Sequence, residues 1–207
     1  MKNLFFAPVL KACALLIVFL SVSCKDDSEH VSPVLSNTEY SNAKYTIKNG
    51  FIQDGGAVDI FLDSEAEHTT HYNYNLILTD GTPVFEDNDV VSMNDGKIVI
   101  SALLLSPGTA AFKTGVFEYD DWSDHLDLEE EDLIARYQNK YFFPLAMVFT
   151  DTDGDKNWQE ETAALVTGGT IKVSGTAPNY TTEYDLILLG GKTLKGSFAG
   201  KFNIAMY

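Results

Sequence analysis

Oxygen-bearing side chains recur at alternate positions in the segment 151–157 (DTDGDKN), directly after an apolar run that ends at Phe149. Calcium takes about six to eight oxygen ligands, and acidic loops of this kind supply roughly three or four of them within one turn. The predicted calcium ligands are Asp151, Asp153, Asp155 and Asn157, with Glu160 or Glu161 completing the shell. The pattern departs from an EF-hand, which needs glycine where Lys156 stands and glutamate where Thr162 stands. The alternative is an acidic hairpin turn in which Asp and Gly serve the backbone geometry.

The two tryptophans, Trp122 and Trp158, both lie in polar stretches of the chain. An exposed indole presents an apolar face that can stack on a sugar ring, together with an N–H that can donate a hydrogen bond. We therefore predict that Trp122 and Trp158 contact a ligand. The alternative is that each ring packs back on the edge of a sheet.

A third group of potential ligands lies at 65–71, where His68 and His71 follow Glu65 and Glu67. Imidazole nitrogens and carboxylates are zinc ligands. Residues three apart on a strand, however, face opposite sides, and the sequence offers no evident third ligand beside the two histidines. We interpret the His68–His71 segment as an exposed polar loop.

Motifs for covalent or nucleotide chemistry are absent from the sequence: it has no Gly-X-Ser-X-Gly elbow, phosphate-binding loop or dinucleotide fingerprint. A pair of carboxylates could catalyse glycoside hydrolysis, but nothing among the 30 acidic residues selects such a pair. The formal net charge of −16 argues strongly against nucleic-acid binding, which requires basic patches.

The elements that must position these residues show the two-residue period of half-buried strands. Leu194, Phe198 and Phe202 share one parity near the C-terminus, and Tyr74 and Leu76 repeat the pattern earlier. Pairs of Asn or Asp with Gly separate the apolar runs, as tight hairpins require. The predicted strands lie near 44–48, 57–62, 71–79, 97–105, 114–119, 141–150, 169–174, 180–189 and 192–205. The predicted class is all-β, an antiparallel β-sandwich or open barrel of about eight or nine strands, with one short helix within 124–137.

The N-terminus has the parts of an export signal, with Lys2 and Lys11 before the apolar run 12–20. The tetrapeptide 21–24 (SVSC) resembles the bacterial lipobox, so we predict a lipoprotein signal peptide at 1–23 and lipidation of Cys24. Residues 24–42 are then the lipidated N-terminus and a flexible spacer, and 43–207 form a single β-rich extracellular domain. Because Cys13 leaves with the signal peptide, the mature domain has no thiol for disulfides or metals.

Short motifs follow the predicted lipidation site, at 25–27 (KDD), 76–81 (LILTDG), 105–109 (LSPGT), 167–173 (TGGTIKV), 184–188 (YDLIL) and 191–200 (GKTLKGSFAG). The KDD segment resembles the surface-export signal of Bacteroidota lipoproteins. The other segments resemble those of uncharacterised surface lipoproteins of the same group. The resemblance implies a β-rich domain anchored in the outer membrane and exposed on the cell surface. It implies no reaction and no catalytic residues.

These features give three hypotheses for the function. The first is a non-catalytic binding module that recognises a glycan, a protein or host matrix and is stabilised by calcium. The second is a structural or accessory subunit of a surface complex, which would pair through exposed strand edges. The third is a carboxylate-based hydrolase.

Overall fold

A computed structural model describes residues 36–40, 43–60, 68–86, 89–125, 127–151, 154 and 163–206. It confirms the all-β class with one short α-helix among these residues. The strands are β1 (Ser36–Tyr40), β2 (Ala43–Ile47), β3 (Asn49–Val58), β4 (His71–Thr79), β5 (Thr82–Glu86), β6 (Asp89–Asn94), β7 (Ile98–Pro107), β8 (Gly115–Tyr119), β9 (Phe142–Thr150), β10 (Ala164–Thr176), β11 (Asn179–Leu188) and β12 (Thr193–Met206). A short 3-10 helix spans Trp122–His125, and the α-helix α1 spans Glu130–Tyr137.

Ten of the strands form one hydrogen-bonded sheet, and β5 and β6 form a separate two-stranded ribbon. Seven of these strands pair in a closed circuit, in which each strand pairs with the next and the last pairs with the first. They are β3, β4, β7, β9, β10, β11 and β12. Strand directions alternate along this circuit, so an odd number of strands brings two strands of the same direction together where it closes. This is the parallel pairing of β12 with β3, a departure from the purely antiparallel prediction. A second parallel contact arises where β8 inserts between β9 and β10.

The main core lies on the inner face of this circuit and follows the predicted alternation. Leu194, Phe198 and Phe202 of β12 are each buried, as are Tyr74 and Leu76 of β4. Their polar neighbours Lys195, Lys201 and Asn203 are exposed. Burial of each large apolar side chain contributes roughly 1.5–3 kcal/mol, which makes the register of these strands specific.

A second, smaller core lies beneath α1 and consists of Val58, Ile60, Leu105, Leu133, Tyr137 and Phe142. The helix carries acidic residues in its first turn and Arg136 in its last, as its dipole favours. It begins at Glu130, later than the predicted 124, because the preceding residues form tight turns. The N–H of Asp124 donates to the carbonyl of Asp121, and the N–H of Leu128 donates to that of His125.

The sheet also contains strands that the two-residue pattern does not predict. β1 lies within the segment 24–42 taken as spacer and pairs with both β2 and β12. β3 begins eight residues before the predicted strand 57–62 and overlaps it only at 57–58, and its Asp54-Gly55-Gly56 sequence forms a bulge rather than a turn. Gly56 has φ +71 there, and its N–H donates to the Asp54 carboxylate at 3.1 Å. Among the described residues, no helix has the length and hydrophobicity to cross a bilayer.

Candidate functional site

The predicted calcium segment is described only at Asp151 and Gly154. Asp151 follows β9, and its Oδ1 accepts a hydrogen bond from the N–H of Gly154 at 2.7 Å. Asp153, Asp155, Asn157 and Glu160 lie outside the described residues, as does the alternative ligand Glu161. In the described part of the chain, no three His, Cys, Asp or Glu side chains are grouped to hold a metal ion. The calcium site therefore stays a prediction.

The other predicted contacts are also largely outside the described range. Trp122 begins the 3-10 helix, but its side chain is not among those described. Trp158 and the lipidation residue Cys24 lie outside the described residues. The roles of Trp122, Trp158 and Cys24 therefore stay predictions.

The interpretation of His68–His71 as an exposed loop is wrong for His71. His68 is exposed, whereas His71 begins β4 and is completely buried. Its Nδ1 hydrogen-bonds the Thr70 hydroxyl at 2.8 Å, and its Nε2 hydrogen-bonds the carbonyl of Lys140 at 3.3 Å. Burial lowers the pKa of His71 below its ordinary value of 6.5. The imidazole thus supports the packing beneath α1 in its neutral form.

A polar group joins α1 to the loop that follows β8. The hydroxyl of Tyr137 donates to Oδ1 of Asp120 at 2.7 Å, and Nζ of Lys140 donates to Oδ2 at 3.2 Å. The same ammonium lies 4.7 Å from the centroid of the Tyr137 ring. Burial, and then the bond to Asp120, raise the pKa of Tyr137 to about 12. The Asp120 carboxylate thus ties α1 and the residue Lys140 to the loop that follows β8.

The best candidate site is a stack of three aromatic rings at one end of the sheet. The Phe112 ring lies parallel to the Tyr74 ring, with centroids 3.9 Å apart and an interplanar angle of 7°. It is also nearly parallel to the Phe117 ring, at 5.5 Å and 6°. We call these residues the aromatic stack. Tyr74 and Phe117 come from strands β4 and β8, whereas Phe112 comes from the loop between β7 and β8.

The aromatic stack has polar groups beside it. The hydroxyl of Tyr72 donates to Oδ2 of Asp54 at 3.2 Å, and both residues are half-buried. Burial, followed by the nearby Tyr180 and Asp54 groups, raises the pKa of Tyr74 well above 10. Tyr74 is therefore a neutral hydrogen-bonding group at every physiological pH. The end of the sheet thus combines aromatic faces with a carboxylate acceptor.

The interior below the aromatic stack is filled by its own side chains. One narrow space there is too small to hold a water molecule, and its nine lining residues are Ile52, Tyr74, Leu76, Leu104, Phe112, Val173, Tyr180, Thr182 and Phe202. None of them is acidic. The hydroxyl of Thr182 donates to the carbonyl of Phe198, which leaves the lining apolar in character. This interior is therefore a packed, acid-free core directly below the aromatic stack.

The loop that carries Phe112 is held at its two ends. The N–H of Gly108 donates to the carbonyl of Thr70 at 2.9 Å, and the N–H of Lys113 donates to the hydroxyl of Ser106 at 3.0 Å. Between these points the residues 109–111 are exposed, while Phe112 is half-buried. Sequence reasoning did not identify Phe112, since a loop has no periodicity. The available signal was a single aromatic residue within an otherwise small and polar loop.

No family model matches the chain, and neither a curated protein nor a solved structure is significantly similar to it.

Proposed function

We propose that this protein is a lipid-anchored, non-catalytic binding module that contacts its ligand at the aromatic end of the sheet. The observation that supports the proposal best is the aromatic stack, in which the half-buried Phe112 leads into an acid-free interior. Half-buried aromatic rings beside a carboxylate suit a glycan, a protein or a matrix component as ligand. Anchoring through Cys24 would hold the domain at the outer face of the outer membrane.

Calcium belongs to the proposal as a stabilising ion. The supporting observation is Asp151 at the end of β9, where the chain turns with its carboxylate already oriented by Gly154. Asp153, Asp155, Asn157 and Glu160 would supply the other oxygens.

Binding arrays test the ligand part of the proposal. The mature chain with Cys24→Ala, which carries no lipid, is applied to glycan and matrix-protein arrays. A signal that is lost in Tyr72→Ala supports binding at the aromatic end if it is kept in Tyr45→Ala. Tyr45 lies on β2 near Asp80, which follows the opposite end of β4 from Tyr72. The same arrays test Trp122→Ala and Trp158→Ala as the predicted contacts. Silence of the wild-type domain across all ligands counts against a binding module.

Cell fractionation tests the proposed location in the outer membrane. In cells that express the full chain, the protein is expected in the outer-membrane fraction and to be digested by protease added to intact cells. The Cys24→Ala variant is expected to leave that fraction. Wild-type protein that is soluble in the periplasm contradicts the anchor.

A second candidate function, an accessory subunit of a surface complex, is favoured by one edge of the sheet. β2 pairs with β1 along one edge, and no other ladder among the described strands involves it. An open strand edge can pair with a strand of another chain. Affinity capture of the lipidated protein from solubilised membranes is expected to retain a stoichiometric partner. A lone monomer contradicts this function.

The interior space gives no support to the hydrolase hypothesis, because none of the residues that line it is acidic.

A further inference from the structure

Phe112 occupies a position in the aromatic stack that a ligand could take. Its ring is stacked on Tyr74 at 3.9 Å and lies parallel to Phe117. Offset parallel stacking of this kind holds any flat aromatic ring, whatever chain it belongs to. The slot beside Tyr74 and Phe117 should therefore accept any planar aromatic ring and not only that of phenylalanine.

The two residues beside Phe112 are held firmly by the sheet. Tyr74 pairs with Asp54 of β3 and Leu104 of β7, and its side chain is buried. Phe117 is completely buried and pairs with Ile171 of β10. Displacement of Phe112 would leave these ladders intact, so the slot would persist without its present occupant.

Phe112 itself is held more weakly. It belongs to no ladder among the described strands, and the loop is attached at Gly108 and Lys113 on either side of it. The residues 109–111 are exposed, so an outward movement of the loop would uncover the Phe112 ring and the faces of Tyr74 and Phe117 on which it stacks. A ligand ring in the same place would cover those two faces again.

From this geometry we infer that the slot beside Tyr74 and Phe117 is a binding site for a planar aromatic group, which enters by displacing Phe112. The inference rests on the proposed binding function and names the ligand chemistry. The ring can belong to a free small molecule or to an aromatic side chain of a peptide. Its edge would reach the apolar interior formed by Ile52, Leu104 and Phe202.

Competition with Phe112 sets the expected affinity. The wild-type protein binds only when the loop has opened, so its apparent dissociation constant is raised by the inverse of the open fraction. Removal of the Phe112 ring abolishes this competition. We expect Phe112→Ala to bind a planar ring at least about tenfold more tightly than wild type does. Because Phe112 is half-buried in a loop, the variant is expected to fold.

The probes are indole and cyclohexylmethanol, which are similar in size but differ in planarity, and the tripeptides Gly-Trp-Gly and Gly-Leu-Gly. Binding to the mature chain with Cys24→Ala is measured by calorimetry, and the ring of Phe112 is followed by NMR. Indole or Gly-Trp-Gly is expected to bind saturably and to shift the Phe112 signals, whereas cyclohexylmethanol and Gly-Leu-Gly are not. Binding of indole alone indicates a small molecule as the source, and tighter binding of the tripeptide indicates a peptide.

Phe198→Ala is the matched control, since it removes a phenylalanine from the same core at a position that contacts Phe202. It should bind indole no better than wild type does. The inference is overturned if indole and Gly-Trp-Gly bind neither wild type nor Phe112→Ala, if Phe198→Ala binds as tightly as Phe112→Ala, or if cyclohexylmethanol binds equally well. Array binding that is sensitive to Tyr72→Ala, without any binding of indole or Gly-Trp-Gly, would leave the proposed function standing and remove this inference alone.

Discussion

The hydroxyl of Thr38 on β1 hydrogen-bonds that of Tyr184 on β11 across the intervening strand β12. Thr38 and Tyr184 both pair with Gly196, one from each edge of β12. A Cβ at position 196 would lie 2.7 Å from each hydroxyl oxygen, so the bond requires glycine there. The strand β1 is thus locked to the sheet by a contact that depends on three distant parts of the chain.

We predict that Gly196→Ala lowers the free energy of unfolding by about 1–3 kcal/mol, because the added methyl group separates the two buried hydroxyls. Urea unfolding followed by circular dichroism measures the change. Gly168→Ala is the control, since a Cβ there would meet only the Ile187 side chain, at an ordinary 3.5 Å. Equal effects of the two substitutions would contradict the steric explanation.

Thr38→Val and Tyr184→Phe together test the hydrogen bond itself. Each single change leaves a buried hydroxyl without this partner, which costs about 1–3 kcal/mol. The double variant removes both hydroxyls, so its loss of stability is expected to be smaller than the sum of the two single losses by about 1 kcal/mol. The measurement is a double-mutant cycle in urea. Strict additivity would show that the two hydroxyls are not coupled.

This bond also shows why β1 is not predictable from sequence. The alternation of Tyr74 and Leu76 on one side of β4 is visible because apolar side chains face the core. Ser36–Tyr40 lacks this pattern, since the buried side chain of Thr38 is polar and has its partner 146 residues away. Sequence periodicity detects apolar burial, and it does not detect polar burial that is satisfied by a distant residue.

The candidate site also has a part that sequence patterns predict and a part that they do not. The strands that carry Tyr74 and Phe117 are predicted from their pattern, but the stacking of Phe112 on these rings depends on the path of a loop. His71 is predicted to lie in an exposed polar loop because the sequence offers no third metal ligand beside His68 and His71. Its burial arises from α1 and β9, which cover this face of the sheet with Tyr137 and Phe142.

His71 is expected to make the protein less stable in mild acid. Burial lowers its pKa in the folded protein, whereas the unfolded chain takes up a proton near the ordinary 6.5. The stability due to neutral His71 is therefore complete above about pH 6.5 and is lost as the pH falls toward the lower folded pKa, at up to about 1.4 kcal/mol per pH unit. Urea unfolding between pH 7 and pH 5 measures this slope.

Substitution of the two neighbouring histidines separates this effect from other titrations. His71→Gln is expected to be less stable at pH 7, because the buried ring contacts with Phe142 are lost, and to have a smaller slope between pH 6.5 and pH 5. His68→Gln changes an exposed residue and is expected to keep the wild-type slope. An unchanged slope in His71→Gln would assign the acid sensitivity to other groups.

Calcium is expected to stabilise the folded protein through the segment that begins at Asp151. An ion that binds only the folded state adds free energy by mass action, about 2.7 kcal/mol at a hundredfold excess over the dissociation constant. Thermal unfolding in millimolar calcium should therefore occur at a higher temperature than in chelator. Asp151→Asn should reduce the shift, whereas Asp185→Asn, which changes an exposed aspartate paired with Lys195, should retain it. Identical melting temperatures of the wild-type protein in calcium and in chelator would show that Asp151 and Gly154 form only a turn.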